Sequence, residues 1–318
     1  MKLPHNFYTF AIALLLLEIL SCGKPRSKPE LHPSLILQAE LQAGSAVSAS
    51  PLIEKDGTHT TLYAVTTDGS IIAWDIEKGK ELWRFNSEVS FEAAPLMIDG
   101  SLYAASLEGE LLAIDAKDGR LLKKAGGFGQ IKGGLSADND GKSFYAGSYD
   151  NNLYKLKTED LSVIWKFSAT NFINGKALLF DDYLAFGSCD AKLYVLERIS
   201  GRLVAAARSP SYIPSTPAAG KGDIIYYAAY EGEICAWSLQ NGTLWTHLAE
   251  PASPVRSPVT LAGGKIIYAN QRGRISALDA KTGAERWHFE GGSPVDFEAI
   301  NTPAGIISAG ADGTLYLL

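Results

Sequence analysis

The stretch LYAVTTDGSIIAWDIEKGKELWRF, Leu62 to Phe85, decides the fold. Leu62-Tyr63-Ala64-Val65 alternates as a half-buried strand does, sending successive side chains to opposite faces. Asp68-Gly69 supplies a two-residue hairpin turn, in which glycine takes positive φ at no steric cost. A strand from Ser70 to Trp74 follows. Asp75 then opens a wider turn ending at Gly79, where the carboxylate can accept a backbone N–H two residues on. An outer strand carrying Trp83 ends the unit, and a leading segment with Pro51 precedes it.

The same pattern recurs along the chain. IIYANQRGRISALDAKTGAERWHF runs from Ile266 to Phe289. Between the two lie SLYAASLEGELLAIDAKDGRLL, SFYAGSYDNNLYKLKTEDLSVIWKF, YLAFGSCDAKLYVLERISGRLV and IIYYAAYEGEICAWSLQNGTLW, and the sequence ends in IISAGADGTLYLL. The second turn residue marks the period: Gly69, Gly109, Asn151, Ala191, Gly232, Gly273 and Gly313, 40 to 42 residues apart. Four strands in about 41 residues make one propeller blade. The expected fold is all-β, a seven-bladed β-propeller of four-stranded antiparallel blades.

The seventh copy stops at Leu318, inside its third strand. An open edge there would invite aggregation. Ile36-Leu37-Gln38-Ala39-Glu40-Leu41 offers the missing strand, since Ala39 lies as far before Pro51 as Trp83 lies before Pro95. Ring closure by this N-terminal strand is therefore expected. All six tryptophans fall in two slots. Trp83, Trp165, Trp245 and Trp287 sit in outer strands, and Trp74 and Trp237 in third strands. Recurrence at one period makes them packing residues between blades. Lys123 and Ala205 replace tryptophan in two blades, whose junctions should be weaker.

Composition narrows the function. Of 318 residues, 46% are hydrophobic and 20% charged, which excludes a disordered chain. A net charge of −6 provides no basic footprint for nucleic acid. Phe7 to Leu20 is apolar but too short to span a bilayer as a helix. With Lys2 before it and Ser21-Cys22 after it, it reads as a signal peptide over residues 1–21. Residues 22–33, GKPRSKPELHP after the cysteine, read as an extended tether, and residues 34–318 as the propeller. Cys189 and Cys235 are expected to be free thiols. The five histidines are scattered without a metal-ligand pair, so no metal site is expected.

Two resemblances follow from these motifs. Ile19-Leu20-Ser21-Cys22 resembles the lipobox of bacterial lipoproteins, with Glu18 and Leu20 departing from its pattern. It implies acylation of Cys22, by chains such as palmitate, and a membrane anchor. The repeat "YA…DG…AlD…tGk…lW.f", over roughly Ser34 to Leu318, resembles the pyrroloquinoline-quinone (PQQ) repeat, also seen in the outer-membrane assembly lipoproteins of the BamB family. Trp74-Asp75 is not a WD40 signature, having no Gly-His partner upstream. The resemblance implies a non-enzymatic scaffold in the bacterial envelope, at the outer membrane and facing the periplasm. It would be a monomeric propeller docking a protein partner in outer-membrane protein assembly. BamB-family propellers have eight blades, whereas seven copies are read in this sequence.

The alternative is a surface or sensor protein that binds a small molecule, sugar or peptide. A PQQ-dependent dehydrogenase is less favoured, because no adjacent cysteine pair or quinone-calcium cluster can be placed; no cofactor and no catalytic residue is expected. For a docking partner, the loops joining one blade's outer strand to the next blade converge on one mouth of the axis. They carry Val47, Phe91, Ile131, Ile173, Ile213 and Phe297, with Glu92, Lys132 and Glu298 beside them and Arg256 nearby. An apolar ring edged by charge suits a protein contact. Phe91, Glu92, Lys132, Arg256, Phe297 and Glu298 are the candidate partner-binding residues; the same ring could equally plug the channel.

Overall fold

The computed structural model describes residues 9–14, 36–57, 59–303, 305–312 and 314–318. Cys22 and the 22–33 tether lie outside them. Seven sheets follow one another along the chain, each a meander in which consecutive strands pair antiparallel. The first contains Leu52–Asp56, His59–Val65, Ser70–Asp75 and Lys80–Asn86. The next five repeat this four-strand order, so the fold is the all-β seven-bladed propeller that the period predicts. In the first six blades the second and third strands are buried on both faces, as Ser70–Asp75 is throughout, while the fourth, outer strands are largely exposed. Hydrophobic clusters lie at the blade junctions; one joins Tyr63, Val65, Ile71 and Ala73 of the first blade to Leu102, Ala104, Leu112 and Ile114 of the second.

The outer-slot tryptophans bind the neighbouring blade. Trp83 Nε1 donates to Ala116 O at 2.9 Å, Trp165 to Arg198 O at 3.3 Å and Trp245 to Ala280 O at 3.1 Å. The same three carbonyls accept Tyr63, Tyr145 and Tyr226 hydroxyls at 3.4, 3.3 and 2.9 Å. At these three junctions the glycine closing the next blade's wide turn lies under the indole. A Cβ on Gly119 would come within 2.6 Å of Trp83, on Gly201 within 2.6 Å of Trp165, and on Gly283 within 2.7 Å of Trp245. Gly119 therefore serves two needs, a φ of +76° and a seat for the ring.

The junctions lacking an outer tryptophan are refilled by other means. Lys123 Nζ reaches Thr158 O at 2.8 Å, the carbonyl equivalent to those the indoles use. Ala205 packs against a cluster in which the following blade supplies Tyr227, Cys235 and Trp237, all buried. The third-strand tryptophan thus stands opposite a small outer residue, whereas Ile114 fills that slot opposite Trp83. These junctions are not simply depleted, as the residue at one position had implied.

The closing strand differs from expectation. Ile36–Gln42 pairs antiparallel with Thr9–Leu14, and the seventh sheet, Ile300–Thr302, Gly305–Ala309 and Leu315–Leu317, holds three strands among the described residues. Thr9–Leu14 belongs to the segment read as the signal peptide, so this pairing is that of the uncleaved chain, where a six-residue partner offers a longer hydrogen-bond ladder than the three residues of Leu315–Leu317. The contact with the first blade is nonetheless made: Leu41 and Ala43 are buried against Leu62, Ala64, Ile72 and Trp74. Arg84 Nη1 also donates to Ala43 O at 3.0 Å.

One junction carries charge in its interior. Lys155 stands where the first, second, fifth and sixth blades have alanine opposite the second strand. Its Nζ lies 2.6 Å from Asp138 Oδ2, which also accepts Tyr145 OH at 2.7 Å, and Arg198 Nη1 lies 3.3 Å from Asp138 Oδ1. Burial pushes the Asp138 carboxyl up, but the Lys155 and Tyr145 hydrogen bonds and the Lys155 charge outweigh it, leaving its pKa below the usual range.

Candidate functional site

One backbone bond recurs at every junction and shapes the mouth of the ring. The residue two before each turn marker donates its N–H to the loop entering that blade. The pairs are Thr67 to Ala46, Leu107 to Ser90, Tyr149 to Gln130, Cys189 to Phe172, Tyr230 to Tyr212, Gln271 to Pro254 and Ala311 to Pro294, all at 2.8 to 3.0 Å. The next loop residue turns inward and donates to the strand end, as Phe91 does to Thr66 O and Ile131 to Ser106 O. Phe91, Ile131, Ile173, Ile213, Val255 and Val295 all have 0% exposure.

This geometry corrects two of the predicted site residues. Phe91 is fully buried between blades and has no surface to give a partner. Phe297 is not the ring residue of its loop; Val295 is, because Val295 N donates to Asn270 O at 3.3 Å and Pro294 O accepts Ala311 N. The inward loop residues are buried where neighbouring blades meet. Phe297 is half-buried and Glu298 exposed, outside the ring. Glu92 and Lys132 are brought together, with Lys132 Nζ 3.3 Å from Glu92 Oε2 and about a third of each side chain exposed. A pair this exposed contributes at most about 1 kcal/mol. Lys132 Nζ also lies 5.5 Å from the centre of the Tyr149 ring.

Arg256 sits elsewhere on the mouth, in an aromatic hollow. Its guanidinium lies 5.7 Å from the Tyr230 ring centre, and Nη2 donates to Tyr230 OH at 3.4 Å. Tyr230 stacks on Tyr212 with centroids 4.3 Å apart and planes at 20°. Tyr149 stacks on Phe172 at 4.7 Å and 4°. With Asn171, Asn174, Cys189 and Pro214, these side chains line a hollow of about 510 Å³. Tyr149 OH donates to Asn174 Oδ1 at 3.0 Å, Asn174 Nδ2 to Pro214 O at 3.0 Å, and Asn171 Nδ2 to Cys189 O at 3.2 Å. The Arg256 hydrogen bond lowers the Tyr230 pKa, whereas burial raises that of Tyr149 and of the free Cys189 thiol. Sequence reasoning found Arg256 and missed the four aromatic rings. Their signal was present: each occupies one of the two positions joined by the recurring backbone bond, visible only once the repeats are aligned two residues ahead of the turn marker.

Six four-stranded meander sheets and a seventh holding three strands among the described residues, with buried loop ends and an aromatic mouth, define a repeat β-propeller. The family model described as outer membrane protein assembly factor BamB matches residues 39–123 and 164–294, and the chain belongs to that family. The fold resembles the crystal structure of BamB from Moraxella catarrhalis, with a TM-score of 0.75 at 16% identity, over 88% of this chain and 84% of that one. It also resembles the computationally designed Ika8 protein, with a TM-score of 0.73 at 16% identity, over 89% of this chain and 87% of that one. Autophagy-related protein 16 from Arabidopsis thaliana is 25% identical over 179 residues, 54% of this chain, which spans only 35% of that protein's length.

Proposed function

We propose that this chain is a non-enzymatic envelope propeller, anchored by lipid at Cys22, that serves as a protein-interaction scaffold in outer-membrane protein assembly. The match of the BamB family model to residues 39–123 and 164–294 carries the reading. On this reading the protein works at the outer membrane, facing the periplasm, as a single propeller with an envelope protein as partner. Glu92, Lys132, Arg256, Phe297 and Glu298 are the exposed or half-exposed side chains offered to that partner at the loop mouth. The partner is held by binding alone, with no substrate turned over.

In-cell crosslinking with identification of co-purifying proteins tests the role. Recovery of barrel-assembly components is expected; their absence, with other partners recovered, overturns it. Cys22→Ala tests the anchor. The variant should move from the membrane to the soluble fraction, and retention on membranes would refute acylation there.

A further inference from the structure

We infer that the aromatic arc of the mouth binds a protein segment in which an aromatic or large apolar side chain neighbours a carboxylate. This rests on the scaffold reading and names where, and by what chemistry, the partner is held. The recurring backbone bond needs no particular side chain. On the rest of the mouth, Thr67, Leu107, Gln271 and Ala311 donate in it as well as the aromatic residues do. Ring closure therefore does not explain why Tyr149, Phe172, Tyr212 and Tyr230 gather on one arc.

Their arrangement points outward. Phe172 is 42% exposed, a large apolar ring left in water. The two stacked pairs line a hollow of about 510 Å³, a size that takes one or two side chains rather than a domain face. Polar groups lining it are already committed: the Tyr149 hydroxyl and both asparagine amides donate within the protein. A sugar, which needs many free donors and acceptors, is poorly served by such walls. Arg256 is the exception. It is exposed, forms no ion pair among the described residues, and is held over Tyr230 by cation–π contact and one hydrogen bond. A pre-oriented guanidinium beside aromatic faces matches a carboxylate with an apolar neighbour, and tyrosine and arginine are the residues that dominate binding hot spots.

The test uses the purified full-length chain and fluorescein-labelled hexapeptides read by anisotropy. A Gly-Ser-Phe-Asp-Gly-Ser probe should bind, and its Phe-Asn counterpart should bind at least fivefold more weakly. Phe172→Ala and Arg256→Gln should each weaken the Phe-Asp probe at least tenfold with unchanged melting, whereas Thr67→Ala, at the same repeat position on the opposite arc, should have no effect. Equal binding of the Phe-Asp and Phe-Asn peptides, no binding of either, or displacement by N-acetylglucosamine oligomers would overturn the inference. The two readings fail separately. If barrel-assembly components still crosslink unchanged in cells carrying Phe172→Ala and Arg256→Gln, the scaffold stands and this site is wrong. If the Phe-Asp probe binds as described but no assembly component is recovered, the site stands and the assembly role falls.

Discussion

The junction between the first two blades and that between the fourth and fifth are each filled by a buried hydrophobic cluster, but the tryptophan comes from opposite sides. In the first, Trp83 comes from the leading blade, lies on Gly119 and faces Ile114. In the second, the leading blade has Ala205 in the outer slot, beside Leu193 and Val195, and the following blade supplies Trp237 and Tyr227. What is kept between blades is the summed volume across the gap, because interiors are close-packed and both a void and an overlap are destabilising. The residue at a single repeat position is free to change if its opposite number changes too.

Several substitutions would break or sharpen that contrast. Trp83→Ala and Trp237→Ala should each destabilise by about 3–5 kcal/mol in urea unfolding, despite their opposite origins. A loss below about 1 kcal/mol for Trp237→Ala would show that its junction is not sealed by the indole. Ala205→Trp alone should cost about 1–3 kcal/mol through overpacking, and adding Trp237→Leu should restore most of it in a double-mutant cycle. Additive losses would refute volume exchange. Lys123→Met removes a donor to Thr158 O while keeping the stem, at an expected cost of about 1 kcal/mol.

A charged junction adds a pH test. The folded Asp138 pKa is depressed, so its stabilisation is present above the unfolded carboxylate value, about 3.9, and is lost as pH falls through the lower folded value. Lys155→Ala restores the residue found in four other blades and leaves Arg198 as the cation beside Asp138. Its acid-unfolding midpoint should move to higher pH, and an unmoved midpoint would show that Lys155 does not hold the carboxylate ionised.

Much of this architecture was legible in the repeat. Turn glycines, wide-turn aspartates and outer tryptophans recur at one spacing, and the structure puts Asp115 Oδ1 3.0 Å from Lys117 N and Asp279 Oδ1 3.0 Å from Lys281 N, as the turn chemistry requires. The mouth was less legible. Arg256 stood out by its charge; Phe91 is the inward residue of its loop as read, but its burial is set by the neighbouring blade, and Phe297 lies two residues past the inward position of its own loop. Only the backbone bond from Ala311 to Pro294 identifies Val295 as the inward residue.

Periodicity alone determined the strand order, the blade count and the class of the fold, because each blade is built from contacts local in the chain. Tertiary structure decided everything that depends on two blades meeting: which tryptophan fills which gap, where Lys123 finds its carbonyl, the pairing of Ile36–Gln42 with Thr9–Leu14, and the gathering of four aromatic rings beside Arg256. Those partners lie some 20 to 55 residues apart in the chain. No local pattern encodes such a meeting; it is fixed when the sheets pack and their side chains compete for the same space.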